Sequence, residues 1–200
     1  MRIATLALAA LLLSPAGQAA PPPAPYGMGW GMGAGPAGSR HGADSHFITM
    51  MIPHHQGAIA MAELALVRGR HPELRALATR IRDSQTRENA LMRSWYRQWF
   101  GTDVPGWPAD GMGMGTGGMV GSGTSLDALR VAPDFDRAFL DLMIAHHRMG
   151  VHMASRAQAT TLHAELRDLE QAMVRVQSEE IAQMERWSQD WFGPRGERRR

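Results

Sequence analysis

The sequence contains no cysteine among its 200 residues. Disulfide bonds, thiolate metal sites and cysteine nucleophiles are therefore excluded, so packing or a bound ligand must stabilise the fold. After the first twenty residues, the chain also lacks any apolar run near the roughly 20 residues that a membrane-spanning helix needs. Nor does the sequence place a nucleophile beside a plausible general base, so it does not indicate a hydrolase.

The numbers of positively and negatively charged residues are also nearly equal. The formal net charge is +2, although the isoelectric point is about 9.9. Much of the basic excess lies in the C-terminal tail, residues 194–200, which is typical of a solvated terminus. The sequence has no basic face interleaved with aromatic residues, so we expect no nucleic-acid partner.

The N-terminal segments differ in composition from the rest. Residues 1–20 carry one positive charge at Arg2, then an apolar run, then small residues, which is typical of a secretory signal peptide. A retained N-terminal anchor is the alternative. Residues 21–44 are rich in glycine, proline and methionine and predict a flexible arm. We therefore expect a periplasmic or secreted protein that does not insert into a membrane after signal cleavage.

The predicted domain, residues 45–193, contains an internal repeat. A shift of 92 positions aligns residues 47–101 with residues 139–193 without a gap, and 21 of those 55 positions are identical. MIPHHQGAIAMA, starting at Met51, recurs as MIAHHRMGVHMA, starting at Met143, and both copies close on Trp-Phe-Gly. Two copies in register throughout indicate a duplicated structural unit.

Each copy reads as a helical hairpin. In the first copy, Ser45 or Asp44 is suited to cap a helix that Gly69 ends, and Pro72 suits the first turn of a second helix that stops at Gly101. Pro53 is expected to kink the first helix or to mark its true start near Ile52. In the second copy, Pro133 and Asp134 open the first helix, and a weaker break is expected near Thr160 and Thr161.

Two hairpins predict an all-α protein with the architecture of a four-helix bundle. The linker between them, residues 102–132, is rich in glycine and methionine and about 30 residues long. That length suits a crossover along the bundle, as in a ferritin-like topology. A simple up-down arrangement stays open, because a flexible linker permits either path.

Histidine, methionine and glutamate recur at equivalent positions of the two copies. Counting both ways from each hairpin turn puts His54 and His55 in one layer with Glu88, and their equivalents in the second copy beside Glu180. Met149 and His152 have no equivalent in the first copy, and either extend the second site or form a peripheral one. The candidate metal ligands are Met51, His54, His55, Met61, Glu88, Met92, Met143, His146, His147, Met149, His152, Met153, Glu180 and Met184.

The chemistry of these side chains predicts a copper site. Thioether sulfur together with imidazole nitrogen selects copper, especially Cu(I), and Ag(I) fits the same ligands. Glu88 and Glu180 either bind the metal or hold a histidine N–H. Further methionines in the arm and linker suggest loosely held soft-metal sites, with compositional drift as the alternative. The expected partners are a metal ion and other copper-handling proteins of the cell envelope.

Two other interpretations of the same residues stay open. Methionines on a helical stripe often only fill a core, and a buried histidine is often a hydrogen-bonded core residue. The protein is then a structural or partner-binding helical module. A ferritin-like di-iron oxidase needs Glu-x-x-His pairs, and Glu88 and Glu180 are followed three residues later by Leu91 and Gln183. We therefore expect a binding protein rather than an enzyme.

The repeated motif and the Trp-Phe-Gly closures resemble the domain-of-unknown-function family 305, which includes the CopM-like periplasmic copper-binding proteins. The resemblance covers essentially Ser45 to Gly193 in both copies. It implies a ferritin-like four-helix bundle and, for characterised members, binding of copper or silver in copper tolerance. Ala145 replaces Pro53 in the second copy, so the two halves need not share the same local helix geometry.

Overall fold

A computed structural model describes residues 36–106 and 126–193, with side chains from residue 42 onward. All regular secondary structure in these ranges is helical, which confirms the predicted all-α class. The helices are α1 (Pro36–Arg68), α2 (Pro72–Phe100), α3 (Leu126–Val131), α4 (Phe135–Ala157) and α5 (Ala164–Phe192). None of the described helices is long and apolar enough to cross a membrane. The predicted signal peptide, most of the arm, the methionines of the linker and the basic tail lie outside the described residues.

Glycine and proline determine several helix ends as predicted. The first helix ends at Arg68, one residue before Gly69, and α2 begins with Pro72. Gly101 ends α2 with a φ of 70°, a left-handed conformation that glycine adopts without a Cβ clash. In the second hairpin, α4 starts just after Asp134, and the break before α5 includes the predicted Thr160 and Thr161.

The start of α1 differs from the prediction. The helix begins at Pro36, so residues 36–44, which we assigned to the arm, are helical, and neither Ser45 nor Ile52 is near the start. Pro53 lies inside the helix, where it removes one backbone hydrogen bond. The expected flexible linker also contains α3, which Arg68 ties to α1 by donating hydrogen bonds to the Leu129 and Ala132 carbonyls at 3.0 and 2.9 Å.

The two hairpins pack through α1 and α4, which run antiparallel. Near the end of α1, Arg68 binds the segment just before α4, and near its start, Asp44 accepts a hydrogen bond from the backbone N–H of His163, just after α4. Because α1 and α2 are also antiparallel, α2 ends and α4 begins at opposite ends of this packing. The chain between them must therefore connect the two ends.

Two apolar clusters lie on either side of the histidine motifs. Along α1, the Phe47–Ile52 segment belongs to one cluster and the Ala58–Ala65 segment to the other, with His54 and His55 between them. We call them the Met51 cluster (Phe47, Ile48, Met51, Ile52, Met92, Tyr96, Ala154, Leu166 and Met173) and the Met143 cluster (Ala58, Met61, Ala62, Ala65, Leu74, Leu77, Ala78, Ile81, Leu129, Phe135, Phe139, Leu140, Leu142, Met143, Ile144 and Met184).

Candidate metal centre

Four buried histidines form a layer where α1 crosses α4. His54 donates from Nε2 to the backbone carbonyl of His146 at 3.2 Å, and His146 donates from Nε2 to the carbonyl of His54 at 3.1 Å. The two rings stack with centroids 3.8 Å apart and planes inclined by 30°. The crossing is close because α4 has glycine at position 150, where an added Cβ would lie 3.0 Å from His54 Cε1 and 2.5 Å from Gln177 Oε1. We call His54, His55, His146 and His147 the histidine layer.

The other two histidines of the layer each face a carboxylate on the second helix of their own hairpin. His55 Nε2 lies 2.7 Å from Glu88 Oε2, and His147 Nε2 lies 2.8 Å from Glu180 Oε2. Both rings are fully buried, whereas the two glutamates are partly exposed. Counting from the hairpin turns predicted these two pairs, and the contacts confirm them.

The hydrogen bonds determine which nitrogen of each ring carries the proton. A carbonyl or carboxylate oxygen only accepts, so each Nε2 is the protonated nitrogen and each Nδ1 of a neutral ring bears a lone pair. Within the described residues, all four Nδ1 atoms are buried without a hydrogen-bond partner, as are the acceptor oxygens of Gln85, Asn89 and Gln177. We call the four nitrogens the open Nδ1 atoms. Buried polar atoms are rarely left unpaired, so they are expected to have a function.

Burial keeps the central rings neutral. Desolvation, followed by the nearby His55 and His147, lowers the pKa of His54 from 6.5 to about 3, although the hydrogen bond to the His146 carbonyl opposes this shift. Desolvation and the other three histidines lower the pKa of His146 well below its usual value. Neutral imidazole is the form that binds a metal ion, so no proton has to leave these two rings first.

The predicted methionine ligands divide between the two apolar clusters. Met51 and Met92 are buried in the Met51 cluster, and Met143 and Met184 in the Met143 cluster, as the two-copy pattern predicts. Met61, however, belongs to the Met143 cluster, and the half-buried Met153 packs against the Met51 cluster. Met61 therefore lies with Met143 and Met184 of the second hairpin, and Met153 lies with Met51 and Met92 of the first hairpin. This exchange arises because α1 and α4 are antiparallel.

Met149 and His152 are not brought into the histidine layer. Met149 is 38% exposed and His152 is also exposed, on a turn of α4 that faces solvent. Across the described ranges, no group of three or more histidine, aspartate and glutamate side chains is arranged to hold a metal ion.

Comparison with known proteins identifies the family of the chain. The family model described as Domain of unknown function (DUF305) matches residues 44–188. The chain belongs to the DUF305 family. Among solved structures, CopM in the Cu(I)-bound form is 45% identical with a TM-score of 0.66, over 75% of this chain and 98% of that one. CopM in the Cu(II)-bound form is 47% identical with a TM-score of 0.68, over 74% and 97% of the two chains.

A further DUF305 structure, from Streptomyces coelicolor, is 31% identical with a TM-score of 0.61, over 71% of this chain and 89% of that one. CopM has also been solved in silver-bound and apo forms. No curated protein matches the chain. The DUF305 structures similar to this chain therefore include a protein that binds both copper and silver.

The structure reveals a contact between Asp136 and His71 that was not predicted from the sequence. Asp136 accepts hydrogen bonds from the backbone N–H groups of Arg70 and His71 at 2.9 Å, and from His71 Nδ1 at 2.5 Å. Burial acts to raise the pKa of Asp136, but these hydrogen bonds lower it below its ordinary value. The signal was present in the sequence, because Asp44 precedes Asp136 by the same 92 positions as the rest of the repeat.

Asp44 makes the equivalent contacts at the other end of the molecule. It accepts hydrogen bonds from the backbone N–H of His163 at 3.2 Å and from His163 Nδ1 at 2.6 Å. The His163 ring stacks on Trp99 at 3.6 Å, as the His71 ring stacks on Trp191 at 3.7 Å. We call these two groups the end clusters (Asp136, His71 and Trp191; Asp44, His163 and Trp99).

Proposed function

We propose that this protein binds copper at the histidine layer, Cu(I) in preference to Cu(II), with Ag(I) as an alternative cargo, and that it sequesters or transfers the ion without catalysing a reaction. The observation that carries the proposal is the set of open Nδ1 atoms. All four are buried, each on a ring whose other nitrogen already contacts an oxygen, and those of the neutral His54 and His146 rings bear a lone pair. A hydrogen bond to Nε2 fixes the tautomer and orients the ring, which is how proteins prepare a histidine ligand.

The surroundings favour a soft, monovalent ion. Met51 and Met92 lie beside the layer in one cluster, and Met143 and Met184 in the other. Thioether and imidazole ligands suit Cu(I) and Ag(I), and neither methionine nor neutral histidine must lose a proton on binding. Glu88 and Glu180 are each positioned to stabilise the positive charge through a histidine.

We infer that the layer holds one ion in each half rather than a single shared ion. A metal must lie close to the plane of an imidazole ring, about 2 Å from its nitrogen. The His54 and His146 rings are nearly parallel and 3.8 Å apart, so a single ion would not lie in both planes near both nitrogens. The neighbouring rings on one helix are better placed, with centroids 6.3 Å apart for His54 and His55, and 6.2 Å apart for His146 and His147.

The cellular setting is part of the same proposal. The composition of residues 1–20 supports export to the periplasm or the exterior, where other copper-handling proteins of the envelope would be the partners. The antiparallel order of α1 and α4, with a connection from one end to the other, supports a ferritin-like four-helix bundle.

An anaerobic competition titration with a chromogenic Cu(I) chelator tests the proposal. Wild-type protein is expected to take one ion per histidine pair from the chelator. His55→Gln should remove one of these ions, and His55→Gln/His147→Gln should remove both. His46→Gln is the matched control, because His46 is exposed on α1 outside the layer, and should leave the uptake unchanged. Circular dichroism of each variant shows whether the helices are retained.

Two results would contradict different parts of the proposal. If folded wild-type protein takes no Cu(I) from the chelator, the copper function is wrong and a structural role becomes the better explanation. If the single substitution His55→Gln abolishes all uptake in a folded protein, the two halves share one ion.

A further inference from the structure

The two halves of the molecule differ in the ligand atoms that they expose to solvent near the crossing of α1 and α4. On α4, Met149 and His152 lie one helical turn apart and both are exposed, whereas the positions 92 residues earlier are Gly57 and Ala60. Methionine is usually buried, and here the exposed one accompanies an exposed imidazole at i+3, where the two side chains lie on the same surface of the helix. The second half therefore offers a sulfur and a nitrogen ligand to solvent that the first half does not.

This exposed turn lies directly over the histidine layer. Met149 is adjacent in sequence to Gly150, where an added Cβ would lie 3.0 Å from His54 Cε1. The equivalent of Met149 is Gly57, where an added Cβ would lie 3.3 Å from His146 Nε2. Both distances place this turn of each helix against the central ring of the other. Met149 is therefore on the segment of α4 that covers His54.

Further thioethers continue inward from this turn. Met153, one turn after Met149, is half-buried and packs against the Met51 cluster, which includes Met51 and Met92. The side chains capable of binding a soft cation thus extend from solvent, through a partly buried position, to the buried methionines beside His54 and His55. In the first half, Met61 is fully buried, and Gly57 and Ala60 carry no ligand atom.

We propose that Met149 and His152 form an exchange site, at which a soft monovalent cation such as Cu(I) passes between an external donor or acceptor and the His54 and His55 half of the layer. The proposal rests on the copper function proposed above. The step is a ligand substitution: bonds from the donor to Cu(I) break as bonds to the Met149 sulfur and the His152 nitrogen form, and the ion keeps its charge. No electron is transferred, and the thioether releases no proton.

A consequence is that the two halves load and unload at different rates. The half that contains His54 and His55 is reached through the exposed ligands of α4. The half that contains His146 and His147 lies against Gly57, and neither Gly57 nor Ala60 carries a ligand atom that could receive the ion. Uptake by the whole protein should therefore show a fast and a slow phase.

Stopped-flow transfer of Cu(I) from a coloured chelator complex measures these phases directly. In Met149→Leu/His152→Gln we expect the fast phase to slow by about tenfold, the effect of one lost interaction of roughly 1.4 kcal/mol in the transition state. The final uptake should stay at the wild-type value. His46→Gln, which removes an exposed imidazole elsewhere on the surface, should leave both phases unchanged. Both substituted positions are exposed, so the fold should be retained.

The outcomes separate this proposal from the one on which it rests. A fast phase that is unchanged in the double variant overturns the exchange site while leaving the copper function intact. A double variant that loses one bound ion at equilibrium also overturns it, because Met149 and His152 would then be ligands of a stable site. Failure of wild-type protein to take up any Cu(I) refutes the copper function itself. Ag(I) titration of protein with ¹³C-labelled methionine methyl groups gives a second measurement, in which the Met149 signal should shift in fast exchange.

Discussion

The histidines at the centre of the molecule and those at its ends use opposite nitrogens. In the histidine layer, Nε2 is held by an oxygen and Nδ1 is open, as at His54 and His55. In the end clusters, Nδ1 of His71 and His163 is the nitrogen held by a buried aspartate, and the ring is covered by tryptophan. Both groups recur at the same interval of 92 residues, so recurrence alone does not separate a ligand from a structural residue. The distinction lies in which ring atom already has a partner.

The comparison predicts that the centre governs metal binding and acid sensitivity, whereas the ends govern the attachment of one hairpin to the other. Substitutions at the ends should lower stability and leave copper uptake intact. Substitutions around the histidine layer should lower copper uptake and leave stability largely unchanged. The four predictions below test this separation, beginning with the largest expected effect.

The largest effect is expected from acid on the metal-free protein. In the unfolded chain, His54 takes up a proton as the pH falls through 6.5, but in the folded protein its pKa is about 3. The free energy of unfolding should therefore fall below pH 6.5, by roughly 3 kcal/mol at pH 4 for His54 alone, with His146 adding to the loss. Urea unfolding at a series of pH values from 7 to 4 measures this. A stability that does not change between pH 6.5 and 4.5 would contradict it.

Glu170 provides a control of opposite sign. Its burial, opposed by the Thr161 hydrogen bond and aided by the charge of Asp44, raises the pKa of Glu170 from 4.5 to about 7. The stabilising effect of its bound proton is complete below pH 4.5 and is lost as the pH rises through 7. Glu170 therefore lowers the free energy of unfolding as the pH rises, which partly offsets the increase that the histidines cause. Glu170→Gln should steepen the pH dependence by about 1.4 kcal/mol per pH unit between 4.5 and 6.5. Equal slopes in the two proteins would show that Glu170 titrates normally.

The second prediction concerns the aspartates at the ends. Asp136→Ala leaves two backbone N–H groups and His71 without their acceptor, and should lower the free energy of unfolding by about 3 kcal/mol. Chemical denaturation measures the loss, and Cu(I) uptake should be unchanged. Asp134→Ala is the matched control: within the described part of the chain its side chain makes no capping hydrogen bond, and the expected change is under about 0.5 kcal/mol. Equal effects of the two substitutions would remove the special role of Asp136.

The third prediction concerns the carboxylates that orient the layer. Glu88→Ala removes the acceptor of His55 Nε2 and should lower the affinity for one of the bound ions by about 10- to 100-fold. Glu180→Ala should lower the affinity for the other ion. Competition titration measures both, with Glu185→Ala as the control, because Glu185 pairs with Arg148 on the surface. If all three variants bind copper equally, the carboxylates do not support the ligands.

The smallest effect is expected from the tryptophans of the end clusters. Trp191→Leu removes the ring that stacks on His71 at 3.7 Å with planes 3° apart. The free energy of unfolding should fall by about 1 kcal/mol more than the loss of buried apolar area alone would cause. Trp191→Phe keeps an aromatic face and should recover part of this loss. Thermal unfolding of the two variants decides the point, since equal stabilities would mean that stacking contributes nothing specific.

Local signals predicted the helices and the pairing within each hairpin. Gly69, Pro72 and Gly101 determine helix ends through backbone conformation alone, so they can be recognised without knowledge of the fold. The contact of His55 with Glu88 also follows from local arithmetic, because a short turn between antiparallel helices determines which residues face each other. These features depend on neighbours in sequence.

Contacts between hairpins could not be predicted in the same way. Asp44 looked like a cap for its own helix, but its carboxylate binds the start of α5, at a sequence separation of 119 residues for His163. The side of the histidine layer on which Met61 and Met153 lie could not be predicted for the same reason, since the antiparallel crossing of α1 and α4 is encoded in neither hairpin alone. The open Nδ1 atoms depend on the tautomer that each partner imposes, which a sequence does not reveal.

The reciprocal use of Asp44 and Asp136 bears on the origin of the molecule. Each aspartate stands on the first helix of one hairpin and completes the start of the second helix of the other. A hairpin on its own would lack this acceptor, whereas two identical hairpins would supply it to each other across a twofold axis, the rule for an isologous dimer. The present chain therefore has the pseudo-twofold arrangement of an isologous homodimer within one polypeptide, a symmetry that Met149 and His152, found on one side only, do not follow.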